Sequence, residues 1–441
     1  MTSLPLKIER ISWNRLDTTT WTSYHECGQE YQVFDTEIST LPKLITSALK
    51  FGDKEFLVDE QGQRLSFSQA IESAKKLAVA IQESKLCDPG DRIGVCGRNS
   101  IDWIISFMGI CLSGCTVIPM NSWWTSKELQ FAIYHTDCKL IFADQERSKR
   151  ISSASWENKR IHIVSMDVSL SNYQMNPNPN IIVLEDFQSF LGKSFSSNYI
   201  EPQIKQDQRA MIIFTSGTTN FPKGVVSTHR GVIHGTLSLA AQRLLIVDKA
   251  ACLLTVPLFH VTGLHAIFLA SFVLGRKIVV LRKWNPERAL ELIERERVTS
   301  ITGVPTMVMQ LLTSPDLSKR DISSLTNVGS GGASAPAMLA KSIKEKMKST
   351  GRQGYGLTET NAVVSSIIGE DYLTRPTSCG KPYPGVQVQI WSDEEDFKEL
   401  PKGQTGRIVV RGPNVMLEYW KDSVATEKAL TENGWFKSGV S

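Results

Sequence analysis

Apolar residues recur along this chain in two rhythms that alternate. Ile71, Ala74, Ala78 and Ile81 fall at helical intervals, and Ser66 followed by Gln69 has capping-box spacing, so a helix is predicted from there to about Ser84. Pro89-Gly90 ends it. A short apolar run, 92–96, then reads as a buried strand, 101–113 as the next helix, closed by Gly114, and 115–119 as a second strand, which makes a βαβ unit. Thr125 and Glu128 predict another capped helix through about His135, followed by a strand at 139–143. The apolar stretch 103–120 has the length of a membrane span, but Ser106, Ser113, Gly114 and Pro119 interrupt it, so a buried helix and strand explain it better.

Such alternation implies α/β architecture with mostly parallel strands and helices on both faces. Periodicity fades over 144–207, where the polar, proline-broken stretch 175–180 predicts a surface excursion and the region a subdomain junction. It resumes with strands at 277–281 and 299–302 around a helix at 286–296. From about Pro376 short strands with frequent Gly and Pro predict a small β-rich subdomain. The expected organisation is a lead-in over 1–40 and subdomains over roughly 41–207, 208–375 and 376–441. No internal repeat is evident.

Composition narrows the function classes. A chain of 441 residues with net charge +4 and scattered basic residues has no nucleic-acid stripe. Its eight cysteines form no CxxC pair and no Cys/His cluster, which disfavours zinc and a disulfide framework and suits a reduced, cytoplasmic setting. No secretory signal is read at the N-terminus and no transmembrane segment is expected, which leaves peripheral membrane contact open.

Candidate chemistry begins at 211–225, where an apolar strand runs into Thr215, Ser216, Gly217, Thr218 and Thr219, then Asn220-Phe-Pro-Lys223-Gly. Glycine lets backbone N–H groups approach phosphate oxygens, the hydroxyls add donors and Lys223 adds a mobile charge. The GK[ST] element of a Walker loop is missing, since Pro222 and Gly224 flank the lysine. This loop resembles the signature of the adenylate-forming superfamily, which includes acyl-CoA synthetases, beetle luciferases and peptide-synthetase adenylation domains, with Asn220 standing where glycine is usual. Residues 354–360, Gly-Tyr-Gly-Leu-Thr-Glu-Thr, resemble its second core motif.

The resemblance, strongest to fatty-acid or aryl-acid CoA ligases, implies the large N-terminal domain of such enzymes: two mostly parallel sheets flanked by helices. It implies that Tyr355 packs on adenine beside Gly354 and Gly356, that Thr358 contacts phosphate, and that Glu359 holds magnesium with Thr218 near it. Gly331, Gly332 and Ala333 would form the backbone wall of the adenine pocket. His260, Val261, Gly263, Val304 and Pro305 would line the acyl pocket, with His260 as its gate; His229, His234 and His265 are read as structural. ATP, magnesium and coenzyme A are the implied cofactors and co-substrates, and a carboxylic acid, of the fatty class, the implied partner. The reaction would be activation to an acyl-adenylate and then a thioester. Where the family has an aspartate for the ribose hydroxyls, this chain has Val440, and the chain stops before a further lobe of about 100 residues. A second expectation is therefore a nucleotide- and acyl-binding fragment with impaired catalysis; an amino-acid adenylation module is a third.

Overall fold

The structure, a computed structural model, describes residues 21–26, 29–156, 160–166, 181–192, 198–215, 221–241, 250–392 and 398–440. Local signals set its elements. Ser66 Oγ accepts from Gln69 N at 3.1 Å and Ser66 N donates to Gln69 Oε1 at 2.9 Å, so the capping box starts the helix Phe67–Glu83. Thr125 and Glu128 do the same for Ser126–His135. Each such cap contributes about 1 kcal/mol. Gly114 ends Ile101–Ser113 at φ 87°, a left-handed conformation that favours glycine.

Two large sheets result. The first runs, in hydrogen-bonded order, Glu418–Tyr419, Lys223–Thr228, Arg209–Thr215, Thr116–Met120, Arg92–Cys96, Leu140–Ala143, Ile161–Ser165, Ile181–Asp186. The second runs Lys381–Pro382, Ser365–Ile368, Thr350–Tyr355, Asn327–Gly331, Ser300–Gly303, Ala251–Leu254, Lys277–Val280, Glu55–Val58, Arg64–Ser66. Both are parallel in the middle and antiparallel at one or both ends. Gln387–Trp391, Arg407–Arg411 and Phe436–Lys437 form a small antiparallel sheet, and Trp21–Glu26 pairs with Gln29–Phe34.

One core joins the large sheets. Ile93, Val95 and Met211 from the first, and Cys252, Leu254 and Ile278 from the second, bury against the helices Phe67–Glu83 and Ile101–Ser113 between them. A Cβ on Gly109 would stand 2.7 Å from Leu77 Cδ2, so glycine permits these two helices to touch. Ile101–Ser113 and Thr116–Met120 thus account for the apolar stretch, and among the described residues no helix is long and apolar enough to cross a membrane.

The sequence pattern failed over 144–207 for a physical reason. Its first helix, Gln145–Ser152, buries polar groups: Arg147 is 1% exposed, paired with Asp144 at 2.9 Å and donating to Ser122 O at 2.8 Å. Strands Ile161–Ser165 and Ile181–Asp186 then continue the first sheet in parallel. The predicted excursion at 175–180 lies outside the described residues.

Candidate active site

The first sheet ends in a hairpin in which Thr215 stands opposite Lys223. The loop between them, with Ser216, Gly217, Thr218, Thr219 and Asn220, lies outside the described residues. Glu418–Tyr419 adds to the hairpin's free edge through Leu417 N to Val226 O at 2.8 Å and Trp420 N to Gly224 O at 2.7 Å. A Cβ on Gly224 would stand 3.0 Å from Ile212 Cγ2 and 3.3 Å from Trp420 Cβ, so part of the glycine content of this motif serves packing. Trp420 is held in turn by His135: Nε1 donates to His135 O, and His135 Nε2 meets Trp420 O, both at 2.9 Å.

Tyr419 joins the two halves of the cleft. Lys223 Nζ lies 5.0 Å from the centre of its ring, and its hydroxyl donates to Glu359 Oε1 at 2.7 Å. Burial, then the Glu359 carboxylate beside it, pushes this phenol far above its ordinary value, so it stays a donor. Nothing in the spacing of Tyr419 from Glu359 along the sequence announces the bond. Glu359 Oε2 has no partner among the described residues and can take a hard cation, though no cluster of three or more His, Cys, Asp or Glu lies there among those residues.

Thr358–Thr360 is one turn of 3₁₀ helix, closed by Leu357 N to Thr360 Oγ1 at 2.9 Å and tied across by Met416 N to Glu359 O at 2.7 Å. The chain leaves it through Asn361 and Ala362 at φ 49° and 68°, positions where non-glycine residues are strained. A buried network holds that exit. Asn361 Oδ1 meets His265 Nε2 at 3.0 Å, Asn361 Nδ2 donates to Asn414 O at 2.9 Å, and Asn414 Nδ2 donates to Thr360 O at 3.1 Å and Val363 O at 2.6 Å. Burial lowers the His265 pKa to about 4, opposed by its bond to Asn361, so the ring is neutral at neutral pH. The supporting residues Asn361 and Asn414 carry no sequence signal beyond adjacency to motifs.

The other wall is backbone. Gly331 and Gly354 stand opposite each other in parallel register, and a Cβ on Gly331 would meet Gly354 O at 3.0 Å. Gly332 turns at φ 76°, with Val304 Cγ1 3.9 Å from where its Cβ would be, and Ala333 O accepts from Gln353 Nε2 at 3.2 Å. A Cβ on Gly356 would stand 2.3 Å from Ala362 O, so the chain's own exit segment requires the glycine. Tyr355 ends the strand Thr350–Tyr355. Its hydroxyl is buried without a hydrogen bond; burial raises its pKa, while the nearby Ser438 hydroxyl, which itself donates to Ile408 O at 2.7 Å, works the other way.

His260 occupies a different part of the cleft. Asn99, from the first half of the chain, fixes its loop by accepting from Leu258 N at 3.0 Å and donating to Val256 O at 3.1 Å. The ring is exposed, with Phe259 and Trp123 centred 4.5 Å and 6.0 Å away, yet enough protein surrounds it that burial lowers its pKa. Among the described residues it contacts these aromatics and does not join the Lys223–Glu359 group. Val261 points into the core, and Pro305 is buried as the first residue of its helix. Gly263 lacks a Cβ because Pro257 O lies 2.4 Å from that position, a turn requirement. His229 and His234 are buried and bonded to protein: Leu41 N donates to His229 Nδ1 at 3.1 Å, and His234 Nε2 meets Pro384 O at 3.2 Å. Val440 holds the small sheet through its carbonyl, which accepts from Ile408 N at 2.8 Å.

Residues 44–420 match the model of a family described as AMP-binding enzyme. The chain is 29% identical over 424 residues to a long-chain-fatty-acid–CoA ligase of Bacillus subtilis, covering 91% of this chain and 74% of that one. It is 26% identical over 401 residues to 4-coumarate–CoA ligase CCL1 of Humulus lupulus, covering 88% and 70%. In fold it resembles the N-terminal domain of FACL13 from Mycobacterium tuberculosis, with TM-score 0.78, 23% identity and coverage of 91% of this chain and 95% of that one.

Proposed function

We propose, from the premise that this chain belongs to the AMP-binding enzyme family, that its cleft binds ATP and a carboxylic acid and joins them as an acyl-adenylate. One observation carries this reading: Tyr419 brings Lys223, from the first sheet, and Glu359, from the second, to a single point at the cleft. A cation and a metal-binding carboxylate so placed suit a triphosphate, which needs positive charge along its length.

The acid's carboxylate attacks the α-phosphorus and pyrophosphate leaves. Lys223 offsets charge on the phosphates, with Thr215 and the hydroxyls of Ser216, Thr218 and Thr219 as donors. Glu359 would hold magnesium, whose charge stabilises the departing pyrophosphate. Thr358 donates to phosphate. Tyr355 and the backbone of Gly331, Gly332, Ala333, Gly354 and Gly356 form the purine side. His260 is neutral at neutral pH and donates to an oxygen of the entering acid, with Val304 beside the carboxyl. In the second half-reaction, the thiol of coenzyme A takes the acyl group and AMP leaves. The acid belongs to the fatty or aryl class, the range spanned by the names of the relatives.

The test is ATP–pyrophosphate exchange over a panel of carboxylic acids, with binding of a non-hydrolysable acyl-sulfamoyl adenosine measured in parallel. Acid-dependent exchange is expected. Analogue binding without exchange would reduce the chain to a nucleotide- and acyl-binding protein, and neither would overturn the reading.

A further inference from the structure

Among the described residues Arg352 has no counter-ion. It stands on the strand Thr350–Tyr355, opposite Gly329, which is in turn opposite Thr302, so the three residues project from one face of the second sheet. The alternate positions, Val328 and Ile301, pack into the core of the opposite face. The Arg352 face therefore looks inward, toward the segment Thr262–Leu269 and the helix Ala270–Leu274, whose Phe268 and Phe272 share a core with Leu254 of the same sheet. Its Nη2 lies 3.5 Å from where a Gly329 Cβ would be. Along the same face Gly329, Gly331 and Gly354 present no side chains, so only backbone lies between Arg352 and the glycine wall.

Among the described residues the Arg352 guanidinium makes no hydrogen bond and no ion pair. The charged or titratable groups that act on it are a second cation, Arg276, and the Tyr383 phenol, with no carboxylate among them. Arg276 is itself satisfied by neutral oxygens, donating to Ile267 O at 3.0 Å and Ser271 Oγ at 3.2 Å. Burial, with Arg276 adding to it, lowers the Arg352 pKa, and its side chain is half-buried on the inward face of the sheet. A guanidinium desolvated without an acceptor is costly to keep.

We propose that Arg352 is a specificity-determining residue that receives a second oxyanion, a carboxylate or phenolate, on the part of the acid remote from the carboxyl being activated. This rests on the adenylating reading and narrows its substrate: two strand positions separate Arg352 from Gly354, about 7 Å, so the favoured acid is compact and carries its second oxyanion at about that reach.

The experiment uses paired acyl-sulfamoyl adenosines of matched length, one ending in a carboxylate and one in a methyl group, over a short-to-long series, with the full chain. The wild type is expected to prefer a short carboxylate-ended member by at least about tenfold, and Arg352→Met to invert that order. Arg352→Lys, which keeps the charge, should retain part of the preference and serves as the variant if Arg352→Met does not fold. Preference for methyl ends in the wild type, or an unchanged preference in either folded variant, overturns the proposal while leaving adenylation intact. Failure of every analogue to bind strikes the adenylating reading, and this proposal with it.

Discussion

Lys223 and Glu359 approach each other through side chains carried by separate sheets, whereas Gly331, Gly354 and Gly356 meet their neighbours through backbone alone. The first arrangement leaves charged groups with spare capacity: among the described residues no carboxylate pairs with Lys223, and Glu359 keeps one oxygen open. The second leaves little slack at Gly331 and Gly356, where an added methyl group would stand 3.0 Å and 2.3 Å from a carbonyl oxygen. Substitution should therefore separate them, the side-chain wall losing chemistry and the backbone wall losing structure.

Lys223→Met should show the largest effect, a fall of about 100- to 1,000-fold in acid-dependent pyrophosphate exchange, with unfolding free energy within about 0.5 kcal/mol of the wild type. A comparable loss of stability would erase the contrast. Gly356→Ala should do the reverse, costing about 3 kcal/mol in denaturant unfolding, since its Cβ must displace Ala362 O from 2.3 Å.

The buried network at the motif's exit lies between these extremes, and pH probes it. His265 has a folded pKa of about 4 against an unfolded value near 6.5. Between those values the unfolded chain binds a proton that the folded chain refuses, so this contribution is present above about pH 6.5 and is lost as pH falls toward 4. From pH 7 to pH 5 it should amount to about 2 kcal/mol, and His265→Gln should flatten that slope in parallel melts. Identical slopes would mean that the ring is not held neutral by burial.

Tyr419→Phe tests the bridge itself. It removes the donor from Glu359 but keeps the ring under Lys223, so stability should fall by about 1 kcal/mol and magnesium-dependent nucleotide binding by a few-fold. An unchanged magnesium titration would make Tyr419 a packing residue only.

The sequence announced elements whose signals are local. Ser66 with Gln69 and Thr125 with Glu128 start helices where predicted, and Pro286–Glu296 spans the predicted range. Gly114 closes its helix, while the following strand begins at Thr116, one residue later than expected. Gln145–Ser152 was illegible because its buried face is an ion pair, which mimics a solvated surface in sequence. The motif residues are legible as chemistry, but their couplings are not: neither the Tyr419–Glu359 bond nor the tethering of the His260 loop by Asn99 has a periodicity, because each joins segments far apart in the chain. Glycine is ambiguous for the same reason, since Gly356 and Gly263 are required by carbonyls that only the folded chain brings near.

The strand Glu418–Tyr419 has a consequence for how the protein comes into being. Its ion pair with Arg209 spans 209 positions, so the first sheet completes its edge only after the 209 residues that follow Arg209 have been made. Loops of that length close late, after local helices and hairpins have formed. A nascent chain halted before residue 418 would hold both large sheets' central strands yet lack the clasp between Lys223 and Glu359. Docking of this strand is therefore a late step in assembling the cleft, and a nucleotide added during refolding should hasten that docking step and leave the earlier ones untouched.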